Sequence, residues 1–430
     1  MNIIHGDCLE ELKKLEDNSV DAIVTDPPYG LSNTKPQQVA DVLKAWVTGD
    51  TVSVPAKRGG FMGKDWDSFV PPPAVWEECM RVLKPGGHMA VFAGARTQDL
   101  MGLSIRLAGF EIRDTLGWVY GSGFPKSMDV SKAIDKAAGE EREVIGTKVT
   151  GNAKQRTSAT GEFADGNHGG QQVVDVTAPA TPEAAKWDGW GTALKPAIEP
   201  IILARKPLDG TVANNVLAHG VGGLNIDACR VPSTDKAKFP AGVVSDTEAV
   251  YGGGGGMYSD RPRPVDKNPA GRFPANVLLD EHAAKEMDKQ SGVLKTGGGN
   301  RASASGGVIY NERAAGEPRE FPANEGGASR FFPVFKYQAK APKKERPVIV
   351  REDGTKVQHP TVKPVALMEW LVMLITPPGG LVLDPFAGTG TTLQAARDKG
   401  FHPIGIEADA DYIQLIHRRL EGGNTSTRNS

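Results

Sequence analysis

Six residues, Val20-Asp21-Ala22-Ile23-Val24-Thr25, run without a break into Asp26-Pro27-Pro28-Tyr29, and that junction limits what the chain can become. The apolar run reads as a strand buried on both faces, as in a parallel sheet. Two consecutive prolines then end it, because neither can donate to a ladder and both Asp26 and Pro27 are pushed out of the helical region. The segment therefore projects from the carboxyl end of a strand, where open α/β sheets place their ligands. It offers an acceptor-only carboxylate, carbonyls with no competing N–H and a flat ring, a set suited to an exocyclic amine on a planar base. A strand that merely ends in a proline turn gives the same local pattern, so the rest of the chain has to decide.

The alternation around that strand predicts an α/β fold with a mostly parallel sheet. Asn2–Asp7 reads as a short strand and Cys8–Leu15 as a helix. Ala74–Leu83 reads as a helix stopped by Lys84-Pro85-Gly86-Gly87, followed by a strand at His88–Ala93, a helix to Ala108 and a strand over 110–120. Residues 30–70 read as an irregular polar loop carrying Phe61, Trp66 and Phe69, placed either to close over a ligand or to cover the sheet. Ile198–Arg205 reads as a further strand pairing back on 110–120 at the sheet edge. Between and beyond, 146–192 and 230–330 are Gly-rich or Pro-rich with little periodicity, which points to long functional or partly unfolded loops. Phe331–Arg351 gathers Lys336, Lys340, Lys343 and Lys344 among aromatic residues; together with Lys126 they are candidate phosphate contacts, or else a solvated basic loop.

Near the other end, Leu381-Val382-Leu383-Asp384 reads as a strand, and Pro385–Thr392 as a glycine loop opening a helix. Phe401–Ile406 is the next strand, ending at Glu407. Strand, glycine loop, helix, strand, acid is an arrangement that binds a nucleoside, the last acid taking ribose hydroxyls. A nicotinamide site is the rival reading, but Gly388-Thr389-Gly390-Thr391-Thr392-Leu393 lacks the third glycine of a dinucleotide fingerprint. Asp384 would also repel a pyrophosphate while suiting an ammonium.

Asp26-Pro27-Pro28-Tyr29, His359-Pro360-Thr361-Val362-Lys363-Pro364 and Asp384–Thr392 together resemble the motifs of S-adenosylmethionine-dependent DNA amino methyltransferases of the β group. The resemblance covers roughly residues 1–130, 195–230 and 331–420. It implies a Rossmann-like class I methyltransferase fold with a seven-stranded sheet, circularly permuted, with a large loop-rich insertion. The expected division is a catalytic half at 1–130, an insertion for target recognition at 131–345 that includes the strand near 198–205, a cofactor half at 346–422 and a tail at 423–430. The resemblance implies a catalytic set of Asp26, Pro27, Pro28 and Tyr29, with Tyr29 stacked on the base. It implies an S-adenosyl-L-methionine site built from Asp7, Cys8, Thr361, Lys363, Asp384, Pro385, Phe386, Gly388, Thr389, Gly390 and Glu407. Lys363 would meet the cofactor carboxylate. The implied activity is methylation of adenine N6 in double-stranded DNA, with cytosine N4 as the alternative and an inactive nucleic-acid-binding relative behind both. A homodimer and a cognate restriction enzyme are the partners such proteins take.

Bulk properties set limits on these readings. At 430 residues the chain exceeds one ordinary domain, and its net charge of −2 means any basic surface is local. Cys8, Cys79 and Cys229 share no metal-binding spacing, and none follows a proline, which excludes the cysteine-nucleophile chemistry of C5-cytosine methylation. Without a signal peptide or a membrane-length apolar run, a cytoplasmic protein is expected.

Overall fold

The computed structural model describes residues 2–32, 34–55, 67–121, 123, 127–150, 172–232, 271–296, 299–301, 319–321, 324–335, 347–351, 353–359 and 361–422. The chain divides into two compact units, Met1–Ser122 with Ile198–Ser430, and Gly123–Ala197.

The larger unit is built on one nine-stranded sheet. Its strands are β1 (Asn2–His5), β2 (Val20–Thr25), β3 (Leu83–Phe92), β4 (Glu111–Val119), β5 (Ile198–Arg205), β6 (Val277–Asp280), β7 (Val334–Phe335), β8 (Leu381–Asp384) and β9 (His402–Glu407). They lie in the order β1-β9-β8-β2-β3-β5-β4-β6-β7. Every neighbouring pair is parallel except the two made by β5, which runs antiparallel to both β3 and β4. Seven strands, β1 to β4 by way of β5, form the expected sheet; β6 and β7 extend it at one edge, from a stretch whose glycines and prolines hid them.

Helices cover both faces: α1 (Cys8–Leu12), α2 (Pro36–Val47), α3 (Pro73–Val82), α4 (Gln98–Leu107), α5 (Val212–His219), α6 (Glu281–Ser291), α7 (Val365–Ile375), α8 (Thr391–Asp398) and α9 (Ala410–Gly422). The period of two in the central strands sorts the core. Ile23, Met89 and Val91 pack with Trp46, Trp76, Cys79 and Met101 on one face, while Ala22, Val24, Ala90 and Phe92 pack with Leu367, Leu371 and Ile375 on the other. Some buried groups inside the sheet are polar. Asp21 accepts from Lys84 Nζ at 2.6 Å and from the Leu381 N–H at 2.7 Å, so it ties β2 to both neighbours.

Several expected elements differ in extent. Residues 30–70 contain a full helix, α2, in place of an uninterrupted loop. Pro36 starts it, and Val39, Val42, Leu43 and Trp46 make the face that packs on the core. Helix α3 ends at Val82, but no turn follows: Leu83 is already extended (ψ 137°) and Lys84–Gly87 belong to β3, with a register shift opposite β2. Cys8–Leu12 is shorter than the expected helix. Phe61, Trp66 and the candidate phosphate contacts Lys126, Lys336, Lys340, Lys343 and Lys344 lie outside the described residues.

In the unit Gly123–Ala197, an antiparallel ribbon pairs Val144–Thr150 with Gln172–Thr177, and helices span Val130–Ala138 and Pro182–Lys186. Asp135 is its buried organiser, taking the Arg142 guanidinium at 2.7 Å and the N–H groups of Ala180 and Thr181. Among the described residues, no helix is long and apolar enough to cross a membrane.

Candidate active site

Two strand tips meet at the centre of the sheet. β2 and β8 are parallel neighbours, with Ala22 opposite Val382 and Ile23 opposite Leu383. The proline tetrapeptide and the glycine loop therefore leave the same edge side by side. A direct bond joins them: Thr25 Oγ donates to Asp384 Oδ1 at 2.7 Å. Had these tips lain on opposite edges, no group could pass between ligands held by Asp26 and Gly388.

Around Asp26 the side chains form a buried charged cluster. Tyr29 Oη donates to Asp26 Oδ1 at 2.7 Å, and Lys363 Nζ donates to Asp26 Oδ2 at 2.7 Å and to Tyr29 Oη at 3.0 Å. Glu199, in β5, brings Oε2 to 3.3 Å from the same ammonium and 3.4 Å from the Tyr29 hydroxyl. Lys363 also stands over the rings of Phe92 at 4.8 Å and Tyr29 at 5.3 Å. Burial alone pulls the Lys363 ammonium down, but the Asp26 and Glu199 carboxylates outweigh it and hold the group above the usual lysine range. Burial, then the same two carboxylates, keeps Tyr29 a neutral phenol. The tetrapeptide backbone is fixed from behind. Asp67 accepts the N–H groups of Tyr29 at 2.6 Å and Gly30 at 3.0 Å, and Thr97 Oγ donates to the Tyr29 carbonyl at 2.6 Å.

The family resemblance implies Lys363 on the carboxylate of a cofactor. The structure pairs it with Asp26 and Glu199, because an ammonium only 7% exposed needs ionised partners and these are the ones in reach. Glu199 and Asp67 were not anticipated. A charged residue inside the otherwise apolar run of β5 was the available signal for Glu199; Asp67 lay in what read as a loop.

The second half of the site surrounds the glycine loop. Gly388 and Gly390 both adopt left-handed backbone, φ 53° and 75°. At Gly390 a side chain would press to 3.0 Å of Ile416 on α9, whereas at Gly388 it would come no nearer than 3.7 Å to anything, the His359 ring being the first neighbour. The loop is thus packed behind and open at Gly388. Glu407 ends β9 and closes the loop: Oε2 accepts the Gly388 N–H at 2.7 Å, Oε1 the Asp409 N–H at 2.8 Å. Burial pushes its carboxyl up to about 7. β1 lies beside β9, with His5 opposite Glu407, which places Asp7 and Cys8 next to that acid. Asp7 also caps α1, accepting from Leu9 and Glu10, and burial followed by Asp7 raises the Cys8 thiol to about 12.

Other expected cofactor residues serve the loop from within. Asp384 is 2% exposed and accepts from Thr25, Thr392 and the Phe386 N–H; burial still raises it to about 6. Thr389 is buried against α9, where Arg419 donates to its carbonyl at 2.6 Å and to its hydroxyl at 3.1 Å. Pro385 is buried, Phe386 lies against Trp76, and Thr361 is exposed beside His359, whose ring meets Tyr412 at 4.8 Å. Arg419 and Tyr412 are further residues of this region that loop spacing did not point to, while His359 opens the motif already noted. The donor set suits S-adenosylmethionine. A ribose brings hydroxyls to an acid at the tip of a strand, and a sulfonium and ammonium bring positive charge to a pocket whose carboxylates are strained by burial. Among the described residues no three His, Cys, Asp or Glu side chains gather as a metal site.

Comparison with known proteins gives the same direction. A family model described as DNA methylase, of N6 and N4 type, matches residues 20–154 and 181–418. The Type II methyltransferase M.HindIII of Haemophilus influenzae is 22% identical over 439 residues, covering 97% of this chain and 94% of that protein. The Type II methyltransferase M2.DpnII of Streptococcus pneumoniae is 42% identical over 67 residues, 16% of this chain and 25% of that protein. Among solved structures, the M1.HpyAVI–SAM complex aligns with a TM-score of 0.38 at 15% identity, over 97% of this chain and 98% of that one. The PvuII DNA methyltransferase, cytosine-N4-specific, aligns with 0.42 at 13% identity, over 100% and 87%.

Proposed function

Because the chain belongs to the N6/N4 DNA methylase family, whose methyl donor is S-adenosyl-L-methionine, we propose that it methylates the N6 amino group of adenine in double-stranded DNA. The observation that carries this reading is Asp26 at the tip of β2, one hydrogen bond from the loop that closes on Glu407. The target amine is a poor nucleophile because its lone pair is delocalised into the ring. Asp26 and the Pro27 carbonyl accept its two hydrogens and draw the nitrogen toward tetrahedral geometry. Tyr29 presents its ring to the base, and Glu407 with the Gly388 loop orients the nucleoside of the donor. The bound cofactor supplies an electrophilic methyl on a positive sulfur; positioning and electrostatics supply the rate. A base stacked in a duplex cannot reach Asp26, so the target is turned out of the helix.

Aspartate at the head of the tetrapeptide favours adenine N6 over cytosine N4. The order of parts, Asp26 loop first and cofactor loop last, supports reading the sheet as a circular permutation in which β1 completes the cofactor half. We place target recognition in the region 131–345, with Gly123–Ala197 as its own folded unit. A second copy of the chain and a cognate restriction enzyme belong to this reading as partners.

DNA from a host expressing the chain, sequenced with modified-base detection and digested for nucleoside mass spectrometry, tests it. N6-methyladenine at one sequence context is expected, absent with Asp26→Ala although that variant still binds S-adenosylmethionine. N4-methylcytosine would overturn the choice of base, and no modified base would overturn the activity.

A further inference from the structure

Asp26 has to receive a hydrogen of an incoming amine, yet both of its oxygens are engaged, Oδ1 by Tyr29 and Oδ2 by Lys363, each at 2.7 Å. Lys363 cannot simply leave. Its side chain is 8% exposed, and an ammonium stripped of its carboxylate in such a place is strongly disfavoured. Glu199 removes that obstacle, because its carboxylate already stands 3.3 Å from the same nitrogen. It comes from β5, the antiparallel strand, and none of the chemistry assigned above to amine, base or donor uses it. The groups facing Asp26 are Lys363 from the segment before α7, Tyr29 from its own loop, Glu199 from β5 and Asp384 from the tip of β8, with Asp67 behind the backbone.

We propose that Glu199 is a positioning residue for methyl transfer, the second berth of the Lys363 ammonium, which moves from Asp26 onto Glu199 as the target amine engages Asp26. The move is a rocking of one side-chain tip between two acceptors already at its sides, so the ammonium is paired throughout. It leaves Asp26 Oδ2 open to an amine hydrogen. Two carboxylates sharing one ammonium also leave one surplus negative charge beside the nitrogen that becomes positive during transfer, and that charge favours the transition state over the neutral ground state. The idea rests on DNA amino methylation being the activity.

The test measures transfer of labelled methyl to DNA at saturating cofactor, over the acid limb of the pH profile, for the wild type, Glu199→Gln, Lys363→Met and the double variant. Calorimetry gives cofactor affinity and thermal melting gives stability for each. Glu199→Gln should lower kcat by roughly tenfold to a hundredfold, the usual range for losing one charge-assisted partner. Its cofactor affinity should be unchanged. The acid limb should move to lower pH, because Lys363 settles wholly on Asp26. Adding Lys363→Met to Glu199→Gln should recover part of the lost rate, since no ammonium then covers Asp26 Oδ2. A Glu199→Gln rate equal to wild type overturns the proposal. So does a reduced rate that tracks a lowered melting temperature with an unmoved acid limb, or a double variant slower than either single one. A wild type that transfers no methyl to DNA overturns the activity and this role together, whereas an active wild type with any of those results overturns the role of Glu199 alone.

Discussion

At Glu407 one carboxyl group carries two duties. It holds the loop by accepting the Gly388 and Asp409 N–H groups, and in the proposed complex it also accepts ribose hydroxyls. Burial places its pKa at about 7. The ionised form is the stronger acceptor, so affinity for S-adenosylmethionine should rise as pH increases through 7 and level off above it. Below that value each unit costs up to roughly tenfold. Titration calorimetry at a series of pH values reads this directly, and Glu407→Gln should bind weakly with the slope flattened. A wild-type affinity that stays constant across neutrality would remove Glu407 from the cofactor contact. Cys8, by contrast, is held neutral by burial at about 12, so its place beside Glu407 adds bulk and no charge.

Between elements, the bond from Thr25 to Asp384 is the link that sets the two strand tips in register. Thr25→Val keeps the shape and removes the donor, leaving a buried carboxylate with one partner fewer. Chemical denaturation should show a loss of about 1–3 kcal/mol. Methyl transfer should fall further than stability alone explains, because the two binding loops are no longer tied. The strands that carry this link were legible in the sequence, since Val20–Thr25 and Leu381–Asp384 are short apolar runs stopped by prolines or glycines. So was β5 with its pairing to β4, although it lies between β3 and β4 and not at the sheet edge, because it pairs antiparallel with both. Helix α2 was not, although Val39, Val42, Leu43 and Trp46 mark its face, because the surrounding polar and glycine residues masked a single amphipathic stripe. β6 and β7 are four and two residues long, too short for periodicity to show. At the site, motif spacing named Asp26, Tyr29, Lys363 and Glu407. It gave no means of seeing Glu199, which arrives from a strand more than 150 residues away and acts only through the fold that brings it there.

For the molecule as a whole, a pH dependence of stability arises inside β3, four residues before Phe92. His88, in β3, is 4% exposed, its Nδ1 makes no hydrogen bond, and burial together with Arg205 and Arg113 lowers its pKa from 6.5 to about 4. An imidazole kept neutral in the folded state contributes stability that is fully present above pH 6.5. That contribution is lost as pH falls from 6.5 toward 4, where the unfolded chain binds the proton and the folded chain does not. The loss amounts to about 3 kcal/mol over that window. Denaturant titrations at several pH values should show this slope, and His88→Leu should flatten it. The pairing of β1 with β9 has a different consequence, one of timing. His5 Nε2 reaches the Ala408 carbonyl across 403 positions of sequence, and the residues proposed to cradle the donor are divided between the tip of β1 and the tips of β8 and β9. A chain emerging from the ribosome can assemble the strands before Phe92 early, but the proposed donor cradle stays unmade until synthesis has passed Glu407. Truncated translation products would then be inert toward the host genome.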